Sequence, residues 1–181
     1  MEPTRYTAFY ENITGWIRRR QHGVFFLNLI NHIVTGLMYL LYPLLLLRIL
    51  LSGFCRRQIP GSGMKELLLY LLVPGISFVL LSIIRDRLNR KRPYEEHPIH
   101  PLIRKNTSGH SMPSRHVFSC TIIAMCFLAQ SVPFGVFLLC LSLLLAVVRV
   151  LGGVHYPKDT AAGMLCGLAA GGLLLFLLSL V

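Results

Sequence analysis

Two residues ahead of the last apolar segment have the types and spacing of a nucleophile and its orienting group. His155 and Asp159 lie four positions apart, so they meet within one turn if the backbone between them is near-helical. A carboxylate that holds one imidazole nitrogen fixes the tautomer and leaves the other nitrogen free to attack. Pro157 suits the first position of a helix, whose free amides favour a bound phosphate. By itself, this spacing is more often that of an ordinary polar pair.

Basic residues near this pair point to an anionic ligand. Arg149 lies at the end of an apolar segment, where a charge is costly and indicates a function. The chain has one long polar segment, residues 85–115, in which eight basic residues outnumber three acidic ones and would attract anions. The basic residues are Arg85, Arg87, Arg90, Lys91, Arg92, Arg104, Lys105 and Arg115. Such a segment also fits a solvated face or an anchor for anionic lipid headgroups.

The composition places these residues in a membrane protein. Of 181 residues, 54% are hydrophobic and 14% are charged, whereas a soluble domain carries about a quarter charged residues. The 18 Lys and Arg against 7 Asp and Glu give a net charge of +11. Disordered, collagen-like and disulfide-scaffold proteins are excluded, and the five cysteines show no metal-binding spacing.

The elements that position the polar residues are apolar helices. We predict an all-α, polytopic membrane helix bundle of about five transmembrane helices, which forms a single catalytic domain over residues 24–181. The predicted spans are Val24–Leu51, Glu66–Ile84, Val117–Ser131, Phe134–Val150 and Asp159–Val181. Ser52–Lys65 is predicted to be a loop, and Pro133 to lie at the turn between the third and fourth spans. With five spans, residues 85–115 and the His155 connection lie on one side of the membrane.

Three further patterns accompany these spans. Residues 1–23 predict an amphipathic helix that lies in the lipid interface, with Arg18–Arg20 at its end; the alternative is that its apolar stripe packs on the rest of the protein. The stripe consists of Tyr6, Phe9, Tyr10, Ile13, Trp16 and Ile17. In the first span, four polar residues share a face that should point into the bundle, for interhelical hydrogen bonds or to line a substrate path. They are Asn28, Asn31, His32 and Thr35. In the last span, Gly163, Gly167 and Gly171 predict close packing inside the bundle rather than dimerisation.

Three segments in order resemble the motifs of the type 2 phosphatidic acid phosphatase superfamily, membrane lipid phosphatases related to vanadium haloperoxidases. That family has Lys, six residues and Arg-Pro; then Pro-Ser-Gly-His; then Ser-Arg, five residues, His, three residues and Asp. The similar segments here are Arg85–Pro93, Pro113–His116 and Val148–Asp159. The resemblance covers about residues 66–181.

The chain departs from the family pattern in several places. Arg85 replaces Lys, which keeps the positive charge but carries it on a planar, forked guanidinium group instead of a compact ammonium group. Arg115 replaces Gly and adds a cation near the phosphate or turns out to solvent, and Val148 replaces Ser. Five spans are found where the family usually has six. Ser108–His110 imitates the second motif but lacks its Pro.

The resemblance implies roles for these residues. His155 would attack phosphorus and become a phosphohistidine while Asp159 orients it, and His116 would protonate the leaving group and then activate water. Arg85, Arg92 and Arg149, with Ser114, would hold the phosphoryl oxygens, and Arg115 would add a cation. We expect no metal and no cofactor, because the sequence has no carboxylate cluster that could hold magnesium.

The resemblance therefore implies a metal-independent phosphatase of a lipid phosphate or diphosphate. The candidate substrates are phosphatidate, phosphatidylglycerophosphate, a polyprenyl diphosphate such as undecaprenyl diphosphate, and a phosphorylated glycolipid. One alternative is a phosphotransferase that passes the phosphoryl group to an acceptor. Another is a non-catalytic membrane protein that binds anionic lipids. Membrane lipids are the expected surroundings, and nucleic acid is not an expected partner because the cations lie beside spans.

The membrane orientation is predicted in opposite ways by charge and by resemblance. Lys and Arg concentrate on the side that holds the motifs and the N-terminus, which by the positive-inside rule would be cytoplasmic. The resemblance implies an extracytoplasmic active site in the plasma (inner) membrane. We favour the resemblance, because the motif arginines are placed by chemistry, although Arg18–Arg20 are not accounted for in this way.

Overall fold

The computed structural model describes residues 5–55, 62–105 and 107–181. Within these ranges seven segments are α-helical and none is a strand, which confirms the all-α prediction. In chain order they are α1 (Arg5–Arg19), α2 (Gly23–Cys55), α3 (Ser62–Leu88), α4 (Pro93–Glu96), α5 (Arg115–Gln130), α6 (Val132–Leu151) and α7 (Pro157–Leu178).

Four of the helices, α2, α3, α6 and α7, are long and apolar enough to cross a membrane. The predicted loop Ser52–Lys65 is wrong at both ends, because α2 continues to Cys55 and α3 begins at Ser62; residues 56–61 lie outside the described residues. Hydropathy marks where a chain leaves the apolar layer, whereas a helix ends only where its backbone hydrogen bonds end. For the same reason α3 runs past its apolar part and carries Arg85 on its last turn.

The fifth apolar helix, α5, is shorter and lies in the middle of the bundle. It has 16 residues, about 24 Å of helix against the roughly 30 Å apolar layer of a bilayer. Every residue from Val117 to Phe127 is buried, because α5 packs against α2, α3, α6 and α7. A helix covered by protein on all sides does not have to reach both membrane surfaces. The helix is interrupted at Ser131 rather than at Pro133, and Pro133 lies in the first turn of α6.

The glycine stripe of α7 sets its distance from α5. A Cβ atom added to Gly163 would lie 2.6 Å from the Ser114 carbonyl oxygen, and one added to Gly167 would lie 2.7 Å from the Thr121 Cβ. Only glycine permits this approach, so the stripe packs inside the bundle as predicted. The helix that carries Asp159 is thereby held against the helix that carries His116.

The polar stripe of α2 is only partly turned inwards. Asn28 Nδ2 donates to the Leu102 carbonyl at 3.1 Å, and Asn31 is buried and accepts a hydrogen bond from Arg149. His32 is exposed, which contradicts the prediction for that residue. A helix turns by about 100° per residue, so the neighbour of an inward-facing Asn31 is carried off the inner face.

Helix α1 packs on the rest of the protein through part of its apolar stripe. Tyr10 and Ile17 are buried, whereas Phe9 and Trp16 are exposed. The Tyr10 hydroxyl donates to the Leu151 carbonyl at 3.1 Å. Tyr6 also packs on the rest of the protein, with its ring centre 5.0 Å from that of Tyr156. The packing alternative is therefore correct for part of the stripe, and the position of the exposed pair in a lipid interface stays a prediction; residues 1–4 lie outside the described ones.

Gly163→Ala should destabilise the protein, because the new methyl group meets a backbone oxygen that cannot turn aside. Overpacking of this kind costs about 1–3 kcal/mol, which corresponds to a melting temperature lower by roughly 2–10 °C. The matched control is Gly172→Ala on the same helix, where a Cβ atom meets nothing within 4 Å. Thermal unfolding of both variants in detergent tests the prediction, and equal melting temperatures would contradict it.

Candidate active site

The three motif segments meet at one end of the bundle, where α3 ends and α5 and α7 begin. Gly153, two residues after the end of α6, has a φ of +73°, a left-handed conformation that favours glycine. The Gly152 carbonyl accepts the Ile103 amide at 3.1 Å, and the Asp159 carbonyl accepts the Ser114 amide at 2.9 Å. Backbone hydrogen bonds thus fix the long polar segment, the start of α5 and the start of α7 to one another.

The structure brings together the pair that the spacing predicted, with a third group between them. His155 and Asp159 are 1% and 0% exposed, and 4.0 Å separates His155 Nδ1 from Asp159 Oδ2. The Ser111 hydroxyl donates to Asp159 Oδ2 at 2.5 Å and lies 3.5 Å from His155 Nδ1. The carboxylate therefore faces the imidazole across a hydroxyl group.

Two further groups fix the carboxylate of Asp159. Arg90 Nη1 donates to Oδ1 at 3.1 Å, and the Tyr156 amide donates to Oδ2 at 3.1 Å. The Arg90 guanidinium also lies 4.6 Å above the centre of the Tyr156 ring, a cation–π contact. Neither Arg90 nor Ser111 is predicted from the sequence to be a site residue. Arg90 is one of eight basic residues in its segment, and the sequence does not distinguish it from the others. The only sequence signal for Ser111 is that it lies two residues before the second motif.

Two predicted phosphate ligands, Arg149 and Arg85, are buried with donors left unused. Arg149 is 3% exposed; its Nη1 donates to Asn31 Oδ1 at 3.2 Å, while Nε and Nη2 have no partner. Arg85 is 4% exposed; its Nη1 donates to the Pro113 carbonyl at 3.0 Å, while Nε has no partner. Buried charged donors without partners are costly. The arrangement is therefore suited to an anion that accepts from both guanidinium groups.

Arg92 differs from the other two because backbone carbonyls occupy its donors. Nε donates to Gly109 at 3.0 Å, Nη1 to Val154 at 3.0 Å and Nη2 to His110 at 3.4 Å. The side chain therefore ties the polar segment to the residue before His155. Its predicted role as a phosphate ligand stays a prediction, and the structure adds a role in holding the loop.

The second motif places its residues at the start of α5. Ser114 is fully buried and its hydroxyl has no partner, so it is free to donate to a ligand. His116 lies in the first turn of α5 and is half-buried. Burial, reinforced by the charges of Arg149, Lys105, Arg115 and Arg85, lowers the pKa of its imidazole to about 3. Arg115 itself is exposed. Of the two predicted positions, beside the phosphate or turned towards solvent, it takes the second, although its charge still contributes to the positive field at His116.

Lys105, which the sequence marks only as part of the general charge of its segment, lies in the electrostatic field of the site arginines. Burial, reinforced by Arg92, Arg149 and Arg85, lowers the pKa of the Lys105 amine to about 7. Burial, again reinforced by Arg149 and Arg92, lowers the pKa of His155 well below its ordinary value. The imidazole of His155 is therefore neutral at physiological pH, which is the form that can attack an electrophile.

The described residues contain no group of three or more His, Cys, Asp or Glu side chains placed to hold a metal ion. Asp159, the carboxylate beside His155, already accepts from Arg90, Ser111 and Tyr156. The polar groups that are left unused in the site are donors, which suit an anion rather than a cation.

Comparisons with known proteins agree with this architecture. The sequence profile described as the PAP2 superfamily matches residues 66–179. The crystal structure of Aquifex aeolicus LpxE superposes with a TM-score of 0.68 at 21% identity, covering 93% of each chain. The first transmembrane PAP2 type phosphatidylglycerolphosphate phosphatase from Bacillus subtilis superposes with a TM-score of 0.58 at 26% identity, covering 97% of this chain and 86% of that one. A search of curated proteins gives no match.

Inorganic phosphate should raise the melting temperature of the protein, and Arg149→Met should abolish most of that rise. The unused donors of Arg149 are satisfied when an anion binds, and binding to the folded state stabilises it by about 2.7 kcal/mol at a hundredfold excess over Kd. Arg104→Met, which removes an exposed cation of the polar segment, is the matched control and should keep the rise. A full phosphate effect in Arg149→Met would contradict this site.

The affinity for sulfate, which stays a dianion in the neutral range, should fall as the pH rises through about 7. A lowered pKa means that the Lys105 amine is charged below about 7 and neutral above it, so the cation that attracts the anion is lost on the alkaline side. The loss should not exceed about tenfold per pH unit for one proton.

Two variants test this assignment by sulfate-dependent thermal shift between pH 6 and 8. Lys105→Arg keeps its charge and should show little change with pH. Lys105→Met should bind weakly at every pH. A wild-type slope that persists in Lys105→Met would assign the titration to another group.

Proposed function

Since the chain belongs to the PAP2 superfamily, we propose that it is a membrane phosphatase that hydrolyses a lipid phosphate or diphosphate without a metal ion, through a phosphohistidine. One observation carries the proposal: the buried imidazole of His155 lies among buried guanidinium groups that have unused donors. A nucleophile beside a preformed anion site is the arrangement that phosphoryl transfer requires.

In the first step the Nε2 lone pair of His155 attacks phosphorus. The N–P bond forms while the bond from phosphorus to the leaving oxygen breaks. His116 takes up a proton as the bound phosphate offsets the surrounding cations, and it gives this proton to the leaving oxygen. The Nδ1 side of the ring faces Ser111 and Asp159, so this nitrogen keeps its proton and Nε2 keeps its lone pair.

In the second step water displaces the histidine. His116, now neutral, takes a proton from the water as its oxygen bonds to phosphorus. The N–P bond breaks, inorganic phosphate leaves, and both histidines return to their starting forms. The positive field around His116 favours its return of the proton to a leaving group in the next cycle.

The phosphoryl oxygens are held by donors that are already in place. Arg149, Arg85 and Ser114 have unused donors in the site, and they stabilise the charge that develops on the equatorial oxygens. Arg92 adds its charge and secures the loop through backbone carbonyls. Arg115, at the exposed rim, is suited to a substrate with a second phosphate.

The position of the site at the membrane favours a lipid as the substrate. The site lies at the ends of apolar helices, so an apolar tail remains in the bilayer while the phosphate enters the cationic cluster. The similarity to a transmembrane phosphatidylglycerolphosphate phosphatase supports a phosphoglycerolipid. Phosphatidate, phosphatidylglycerophosphate and undecaprenyl diphosphate are the substrates to test.

The protein is an integral membrane protein, and we place the active site on the extracytoplasmic side of the plasma (inner) membrane. Arg85, Arg92 and Arg149 are buried in the site, where they bind the phosphate or hold the loop. They should therefore not be counted in the positive-inside rule. Arg18, which belongs to the N-terminal basic group, donates to the carbonyl of His100 and also has a local role. We further propose that residues 1–23 rest in the interface while residues 24–181 form the catalytic domain.

The purified protein should release inorganic phosphate from at least one member of this lipid panel, and an excess of EDTA should not slow the reaction. His155→Ala should lower the rate by roughly 10³-fold or more, because it removes the nucleophile. His22→Ala, which truncates an exposed histidine between α1 and α2, is the matched control and should keep full activity.

Three results would contradict the proposal in different ways. Loss of activity with EDTA would exclude the metal-independent mechanism. Transfer of phosphate to a lipid or sugar acceptor, with no free phosphate, would favour a phosphotransferase. Equal activity of His155→Ala and wild type would remove the phosphohistidine.

A further inference from the structure

Ser111 carries a buried hydroxyl beside the proposed nucleophile. It is 0% exposed and precedes the second motif by two residues. Its oxygen lies between the two groups that should act as nucleophile and orienting carboxylate, 3.5 Å from His155 Nδ1 and 2.5 Å from Asp159 Oδ2.

The distance between Asp159 and His155 decides what this hydroxyl does. The 3.5 Å between Ser111 Oγ and His155 Nδ1 is at the outer limit of a hydrogen bond, whereas the 4.0 Å between Nδ1 and Asp159 Oδ2 is beyond it. The carboxylate is also held away from the ring by Arg90 and by the Tyr156 amide. Asp159 therefore cannot orient the imidazole by direct contact in this arrangement.

A hydroxyl can serve both neighbours at once, because it donates one hydrogen bond and accepts others. The short contact shows that Ser111 donates to Asp159 Oδ2. Its lone pairs then remain to accept from the Nδ1–H of His155. Polarisation by the carboxylate makes the hydroxyl oxygen a stronger acceptor.

We propose that Ser111 is a positioning residue for His155: its hydroxyl connects Asp159 to the imidazole, keeps the proton on Nδ1 and leaves Nε2 free to attack. The proposal rests on the proposed phosphatase function. When Nε2 bonds to phosphorus the ring becomes cationic, and the Nδ1–H bond to the Ser111 oxygen strengthens. No proton leaves the three groups in this step, so Ser111 stays a hydroxyl throughout.

The protein holds Ser111 as firmly as the two groups it connects. The Ser111 amide donates to the Arg90 carbonyl at 2.8 Å, and the Arg90 side chain binds Asp159. Arg92 fixes the two residues that precede Ser111 through the carbonyls of Gly109 and His110. The same short segment of basic residues therefore positions both the hydroxyl and the carboxylate.

Ser111→Ala should lower kcat by about 10–100-fold, the range typical of groups that orient a functional histidine. KM for the lipid substrate should stay within about twofold, because the unused donors of the phosphate site remain. Ser111→Thr keeps the hydroxyl and should recover most of the loss. Ser108→Ala is the matched control, since Ser108 is an exposed serine of the same segment, and it should act as wild type.

A double-variant comparison separates the relay from a merely structural role. If Asp159 acts on His155 through Ser111, then Ser111→Ala combined with Asp159→Asn should be no more than about twofold slower than Asp159→Asn alone. Single-turnover formation of the phosphohistidine, followed with radiolabelled substrate, should fall by the same factor as kcat in Ser111→Ala. Losses that multiply in the double variant would overturn the proposal, whether or not Ser111→Thr folds well.

The outcome for His155→Ala in the same assay separates this inference from the proposed function. If His155→Ala is inactive and Ser111→Ala equals wild type, the relay is wrong and the phosphatase mechanism stands. If His155→Ala is as active as wild type, the phosphohistidine mechanism fails, and the role of Ser111 fails with it.

Discussion

The concentration of buried positive charge around one histidine is the constraint on which the rest of the structure depends. Arg85, Arg92 and Arg149 are all buried, and among the described residues Asp159 is the one buried carboxylate in their midst. Like charges in a poorly solvated site repel one another and lose hydration. Such a cluster persists only if the fold holds each side chain firmly and if an anionic ligand offsets the cost.

The protein holds these cations mainly with neutral groups rather than with acids. Arg92 binds backbone carbonyls on both sides of the site, and Arg149 binds the side-chain amide of Asn31 on α2. Neutral acceptors fix a guanidinium without cancelling its charge, so the attraction for phosphate is retained. The carboxylate that is present, Asp159, is turned towards Arg90 and Ser111, and it does not bind Arg85, Arg92 or Arg149 directly.

The transmembrane bundle supplies the rigidity that this arrangement needs. The two histidines lie on separate segments, His155 just before α7 and His116 at the start of α5. Glycines on α7 allow it to contact α5 closely, at the very residues where the second motif begins. The amide of Ser114 then bonds to the carbonyl of Asp159. The contact between α5 and α7 thus determines both the packing of the bundle and the relative positions of Ser114 and Asp159.

The sequence by itself determined the helical class, the apolar spans and the convergence of the motif residues, because hydrophobic length and fixed motif spacing are local properties. Tertiary structure alone decided which of many cations serve the site. Arg90 and Lys105 resemble their neighbours along the chain. Only folding places Arg90 against Asp159 and brings Lys105 into the positive field of Arg92 and Arg149. The exact helix ends could not be predicted either, because they depend on backbone hydrogen bonds rather than on hydropathy. The position of Ser111 could not be predicted, because its contact with Asp159 joins residues 48 positions apart and produces no periodic pattern in the sequence.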